Sequence, residues 1–257
     1  MIYITGDCHG DFRKFSTRFF PAQKEMTKDD FVIVCGDFGG VWSYGCSDST
    51  EKYWLDWLEE KPFTLLFVDG NHENFDRLYH DYPTVNFNGG KAHKIRSNIY
   101  HLMRGYVFNL QGKKFFAFGG ASSHDIDDGI LQPKDFESLN DMYKQWHYNR
   151  YKLGKTQRMN HISWWSKELP SAYEMQRGKR ELEKVNYEVD YVISHCAPQD
   201  VASVMSSGCY KSDKLTMYFS EIARDLKFTR WYFGHYHDDN AYMSKFILLY
   251  YNMERIL

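Results

Sequence analysis

Seven side chains able to hold a divalent cation stand just past short apolar runs of this 257-residue chain. Asp7 and His9 follow Ile2-Tyr3-Ile4-Thr5, Asp37 follows Phe31-Val32-Ile33-Val34-Cys35, and Asn71 follows Thr64-Leu65-Leu66-Phe67-Val68. His195 follows Tyr191-Val192-Ile193-Ser194, and His235 with His237 follows Trp231-Tyr232-Phe233. Any one of them alone reads as a helix cap or a surface residue. Five strand ends in step point instead to one site, because open α/β sheets bind ligands beyond the carboxyl ends of their strands. Carboxylate oxygen combined with imidazole nitrogen suits Mn, Fe or Zn, whereas all-oxygen sites suit Mg or Ca and thiolates suit structural Zn. A carboxylate can also bridge two cations. Two ions roughly 3.5 to 4 Å apart clamp the attacking and leaving oxygens of a displacement at phosphorus and acidify a water. Hydrolysis of a phosphate ester is the chemistry this donor set would suit.

The elements that must position these residues are legible as well. Continuous β-branched and aromatic runs of four or five residues read as strands buried on both faces. Phe115-Phe116-Ala117-Phe118 adds another, Phe246 to Tyr251 a last one, and Ile99 to Leu102 with Tyr106 to Leu110 reads as a hairpin turning at Arg104-Gly105. Helical spacing of apolar residues predicts helices over Glu51 to Leu58 and Tyr173 to Val185. A mixed sheet or two stacked sheets with helices outside follows, an α/β architecture. With 43% hydrophobic and 26% charged residues, a sizeable core can be buried, and residues 1–257 read as a single domain. Residues 124–161 differ in texture, polar and aromatic together, and read as inserted: a solvated helical excursion or a flap over the substrate.

Composition excludes several function classes. A net charge of -2 gives no broad positive field for a nucleic-acid backbone, so no obligate nucleic-acid partner is expected. The start has neither a basic segment nor a long apolar one, and no stretch approaches a membrane span; the expectation is a soluble, cytoplasmic protein. Cys8, Cys35, Cys46, Cys196 and Cys209 are odd in number and form no CxxC pair, which disfavours both a disulfide framework and a thiolate zinc site. Cys8, between two candidate ligands, reads as a buried structural thiol rather than a nucleophile. Trp164-Trp165 reads as core packing ahead of a platform for a nucleobase.

Gly6-Asp7-Cys8-His9-Gly10, Gly36-Asp37, Gly70-Asn71-His72-Glu73, a strand-terminal His195 and Gly234-His235-Tyr236-His237 together resemble the successive motifs of the calcineurin-like metallophosphoesterases. The resemblance runs in order through nearly the whole chain. It implies two stacked mixed β-sheets flanked by helices, a four-layer sandwich, and two divalent metal ions, Mn, Fe or Zn. Asp7, His9 and His237 would hold the first ion, Asn71, His195 and His235 the second, and Asp37 would bridge them. His72 would protonate the leaving oxygen or stabilise the transition state. Protein Ser/Thr phosphatases of this superfamily carry Asp-Arg two residues beyond the position of Phe38, where Gly39-Gly40-Val41-Trp42 stands here. Arg77 or Arg104 is a candidate substitute for that phosphate grip, and His124 and Asp125 are candidate substrate contacts. The expected function is hydrolysis of a small phosphorylated molecule, a nucleotide among the candidates. A protein phosphatase or nuclease on the same centre, or a non-catalytic binding module on the same scaffold, is the alternative.

Overall fold

Residues of the buried runs alternate between two cores, which is why the runs are apolar without interruption. A computed structural model of the chain describes residues 1–257. Its elements in order are β1 (Ile2–Thr5), β2 (Phe31–Val34), α1 (Ser49–Glu59), β3 (Thr64–Phe67), α2 (Phe75–His80), β4 (Thr84–Phe87), β5 (Gly90–Arg96), β6 (Ile99–Leu102), β7 (Tyr106–Leu110) and β8 (Lys113–Phe118). There follow β9 (Ile130–Leu131), α3 (Leu139–Leu153), β10 (Arg158–Met159), α4 (Ala172–Lys184), β11 (Tyr191–Ser194), α5 (Gln199–Met205), α6 (Lys214–Asp225), β12 (Arg230–Phe233), β13 (Asn240–Tyr242), β14 (Phe246–Leu248) and β15 (Met253–Arg255).

One sheet has the order β15-β1-β2-β3-β6-β5-β4 and the other β13-β14-β12-β11-β8-β7. Ile2 and Ile4, Ile33, Leu66, Phe115 and Ala117, Ile193 and Tyr232 form the core between the sheets. The alternate residues face outwards. Tyr3, Val32, Val34, Leu65 and Phe67 pack under Leu55, Leu58 and Leu78 of α1 and α2. Phe116, Phe118, Val192, Trp231 and Phe233 pack under α4, α5 and α6. Two mixed sheets between two helical layers are thus built by period-two alternation, each strand face having its own partner. The five strands that precede the candidate ligands, β1, β2, β3, β11 and β12, are parallel to their neighbours among them, so their carboxyl ends meet on one side. No helix is long and apolar enough to cross a membrane.

The expected hairpin between Ile99–Leu102 and Tyr106–Leu110 does not form. β6 pairs with β3 and β5 in one sheet, and β7 pairs with β8 in the other. The link crosses between sheets because Arg104, 1% exposed, is held by the carboxylate of Asp69 and donates to the backbone carbonyls of Lys167 and Glu168. Gly105 turns there with φ 76°, a conformation that favours glycine. The predicted helices appear with boundaries one to two residues wider or shifted, and the last predicted strand ends at Leu248 rather than Tyr251. Residues 124–161 hold β9, α3 and β10. The two strands pair in parallel, Arg158 opposite Ile130 and Met159 opposite Leu131, and a small core of Met142, Met159 and Ile162 lies beneath. Ser138 caps the start of α3 through the N–H of Asp141, and Gly154 ends it in the left-handed region.

Arg77 is neither a free substrate grip nor a solvated charge. Its side chain is 5% exposed, and its guanidinium donates to both oxygens of Glu51 (2.8 and 2.6 Å), to Asp81 Oδ2 (3.1 Å), to Ser47 Oγ and to the Ser43 carbonyl. The pair ties α2 to α1, and the fork has no donor left for a phosphate. Removing one member of a buried pair strands the other charge, at a cost of about 3 to 5 kcal/mol. Arg77→Ala is expected to lose that much in urea unfolding, and Arg77→Met combined with Glu51→Gln to recover part of it. A loss below about 1 kcal/mol for Arg77→Ala would show that the pair contributes little.

Candidate metal centre

The loops after the parallel strands are stitched to one another by backbone hydrogen bonds before any side chain is considered. Cys8 N and His9 N both donate to the Asp37 carbonyl (3.0 and 2.8 Å), and Gly234 N donates to the His195 carbonyl (2.9 Å). Each central carboxylate then accepts from the backbone of another loop. His235 N donates to Asp7 Oδ1 (3.0 Å), and His72 N donates to Asp37 Oδ1 (2.7 Å). These approaches need bare backbone. A Cβ on Gly70 would collide with Asp37 Oδ1, and one on Gly234 with Asp7 Oδ1. His9, Asp37, His235 and His237 all have φ between 45° and 70°, a region costly for residues with a Cβ.

What remains unpaired faces inwards. Asp7 Oδ2 has no hydrogen-bond partner and lies 3.5 Å from His9 Nε2 and 3.3 Å from His237 Nε2, which are 3.0 Å from each other. Three donors on a common ion at about 2.1 Å would be separated by about 3.0 Å in octahedral and about 3.4 Å in tetrahedral geometry. The spacing fits a divalent cation. A second group joins Asp7, Asp37 and His195, and a third joins His9, Asp37 and His72. Each carboxylate therefore belongs to two groups. His195 Nδ1 donates to the Cys35 carbonyl (2.8 Å), which turns Nε2 into the site, 3.3 Å from Asp37 Oδ1. Asn71 directs Nδ2 to Ser123 Oγ (3.4 Å) and leaves Oδ1 without a donor. Buried and unpartnered, Asp7 Oδ2 and Asn71 Oδ1 offer lone pairs of the type a cation accepts, and His195 Nε2 offers one when its proton leaves.

Charge explains the remaining shifts. Burial pushes Asp7 and Asp37 upward, yet the His195 imidazole, with the neighbouring histidines, outweighs it and holds both carboxyls well below their usual range. Burial opposes the proton on His195, but Asp37 and Asp7 raise it to about 10, so an incoming cation competes with a proton there. Burial lowers His72 to about 4, with Arg158 adding to the effect and Asp37 opposing it. Burial also pushes the Cys8 thiol up to about 12, which leaves it an inert core sulfur.

A model of the Calcineurin-like phosphoesterase family matches residues 1–239. The chain belongs to that family. Among curated proteins, Lariat debranching enzyme A of Xenopus laevis is 28% identical to this family member over 144 residues, 51% of this chain. The match spans 26% of that relative's length, about a quarter of it.

Of the seven positions singled out as ligands in this family member, Asp7, His9, Asp37, His195 and His237 fall in groups of three close donors. His235 joins through its backbone N–H and its ring, 4.9 Å from the ring of His195, and Asn71 meets Ser123 and keeps Oδ1 without a donor. Residues 123 to 125 are more informative than their sequence suggested. Ser123 reaches Asn71, His124 Nε2 lies 2.8 Å from His235 Nε2, and Asp125 Oδ1 accepts from Arg158 Nε at 2.5 Å. Arg158 escaped the sequence reading altogether, having no motif around it, and its Nη2 stands 3.3 Å from His72 Nε2. The Trp42 ring lies 5.6 Å from that of His72 and packs on Trp165. Trp165, 1% exposed, donates Nε1 to Asp76 (2.8 Å) and is buried as expected, whereas Trp164 is half-buried.

Glu168 is the other residue without a sequence signal. It is 2% exposed, accepts from Ser123 N and Oγ through Oε2, and has no donor at Oε1, so burial raises it to about 8. Its folded value exceeds its unfolded one of 4.5. The proton therefore stabilises the fold fully below pH 4.5, and this stability is lost as pH rises to about 8, at up to about 1.4 kcal/mol per pH unit. Glu168→Gln is expected to flatten the fall in unfolding free energy between pH 5 and 8; parallel profiles for the two proteins would remove this account.

Proposed function

We propose that this family member is a dinuclear-metal-dependent phosphoesterase that hydrolyses a small phosphorylated substrate, a nucleotide among the candidates. The carrying observation is the set of buried, unpartnered atoms Asp7 Oδ2, Asn71 Oδ1 and His195 Nε2, with the His9 and His237 nitrogens close beside Asp7 Oδ2. Asp7, His9 and His237 would hold one ion, Asn71, His195 and His235 the other, with Asp37 between them, whose oxygens lie 3.7 Å from His9 Nδ1 and 3.3 Å from His195 Nε2, which supports that reading. Such ions, Mn, Fe or Zn by the donor chemistry, would supply Lewis acidity at phosphorus and acidify a water.

The chain's own residues do the rest. Asp37 stays ionised and accepts from His72 N, so the loop of the leaving-group residue is fixed to the centre. His72 is neutral near pH 7, its value being held to about 4, which favours stabilising charge on the departing oxygen through a ring N–H over storing a proton. Trp42 beside it limits water on that flank. The reading treats residues 1–257 as one domain, with residues 124–161 as an inserted cap. Similarity to a protein named for debranching lariats favours a phosphodiester as the second reading, while the net charge of -2 weighs against a long nucleic-acid partner.

Two variants test the assignment with different readouts. His72→Ala is expected to keep its Mn content by elemental analysis while turnover of p-nitrophenyl phosphate and of its bis-ester falls by about 10² to 10⁴. His237→Ala is expected to lower the metal content itself. Undiminished turnover in the first variant, or full metal content in the second, would each overturn the role given.

A further inference from the structure

Arg77 and Arg104 are buried and Arg158 is largely so, and the donors of the three differ in what they meet. Arg77 and Arg104 are engaged by Glu51 and by Asp69 together with backbone carbonyls. Arg158, whose side chain is 11% exposed, donates Nε to Asp125 and Nη1 to the Ser163 carbonyl (3.1 Å). Its Nη2 meets only the imidazole nitrogen of His72, and no carboxylate or carbonyl oxygen. A guanidinium carries five N–H donors, so part of this fork is open toward the side of the site where His72 stands. Charge is unbalanced as well. Arg150 Nη1 lies 3.8 Å from Asp125 Oδ2, so one carboxylate serves two guanidinium groups and a positive charge is left over.

The position of that charge is built rather than incidental. Arg158 is fixed in β10 opposite Ile130, and the adjoining Met159 sits in the small core with Met142 and Ile162. The far end of the segment is tied down where His161 Nδ1 and Trp165 Nε1 both meet Asp76 Oδ2 (2.7 and 2.8 Å), at the start of α2. The near end is tied where His124 meets His235.

Resting on the phosphoesterase reading above, we propose that Arg158 grips the substrate's phosphoryl oxygens beside His72, and that Asp125 is the positioning residue that aims it. The inserted segment thereby delivers a cationic contact to the metal centre from outside the ligand loops. An anion between Nη2 and the ring of His72 would accept the open donors and neutralise the surplus charge, which the imidazole cannot do.

The test is calorimetric titration of inorganic phosphate into the Mn-loaded full chain, alongside turnover of p-nitrophenyl phosphate. Arg158→Ala is expected to weaken phosphate by about 10- to 100-fold, the size of a hydrogen bond to a charged group, with metal content unchanged. Arg158→Lys keeps the charge without the fork, folds more conservatively, and is expected to fall between the two. Asp125→Asn is expected to weaken phosphate less and to raise KM more than it lowers kcat. In the Arg158→Ala background it should have no further effect, a coupling that a merely structural carboxylate would not show. If the unaltered protein binds phosphate and turns over ester but Arg158→Ala and Arg158→Lys match it, the grip is wrong and the phosphoesterase reading stands. If the unaltered Mn-loaded protein neither binds phosphate nor hydrolyses any ester, the phosphoesterase reading fails and the grip with it.

Discussion

Two carboxylates kept ionised out of contact with water are the constraint round which this molecule is arranged. Asp7 and Asp37 are 2% and 1% exposed and stand side by side, so burial and mutual repulsion both oppose their charge. An uncompensated buried carboxylate would take up a proton instead. Here each gives one oxygen to a backbone N–H of a different loop and has imidazoles beside it, Asp7 Oδ2 facing His9 and His237 and Asp37 lying between His195 and His9. The arrangement works only if loops from both sheets reach the same point. That explains why the parallel strands β1, β2, β3, β11 and β12 all end there, and why Gly70 and Gly234 carry no side chain where the carboxylates approach.

The same constraint accounts for the strained backbone. Four candidate ligands adopt left-handed φ values, each at a cost of roughly 1 to 3 kcal/mol, and such residues persist only where surroundings over-determine them. The cross-loop bonds from Cys8 N, His9 N and Gly234 N do that. The aromatic and aliphatic layers on either side of each sheet fix the strands from which the loops spring. Local strain, a stitched loop cluster and a dry core are therefore one device at three scales, and the free lone pairs left at its centre are its product.

Much of this was legible in the residue string, for a physical reason. Strands buried on both faces must be apolar throughout, so Phe31 to Val34 and Thr64 to Phe67 announce themselves, and a donor after each run marks the strand's carboxyl end. Long-range partners leave no such mark. The turn at Arg104-Gly105 looked like a hairpin because local pattern cannot tell which sheet the next strand joins; the partner that decides it, Asp69, is 35 residues away. Arg77 follows the Gly-Asn-His-Glu motif closely and so suggested a phosphate contact, yet Glu51, 26 residues earlier, holds it. Ser123, Arg158 and Glu168 carry no periodic or motif signal at all. Only the folded arrangement joins them to Asn71 and His72.

Charge is what divides the labour between the core sheets and residues 124–161. The sheet-end loops supply carboxylates and imidazoles, a set suited to cations and poor in direct contacts for an anion. Residues 124–161 carry as many acidic as basic side chains, yet they bring both Arg150 and Arg158 to the single carboxylate of Asp125. Its small core of Met142, Met159 and Ile162 is separate from the large clusters, which lets its outer residues vary without disturbing the sheets. Three consecutive residues, Ser123, His124 and Asp125, nonetheless touch Asn71, His235 and Arg158 in turn. A shift of that tripeptide would move its contacts with Asn71, His235 and Arg158 together, so these residues cannot be repositioned independently of the candidate ligands they touch.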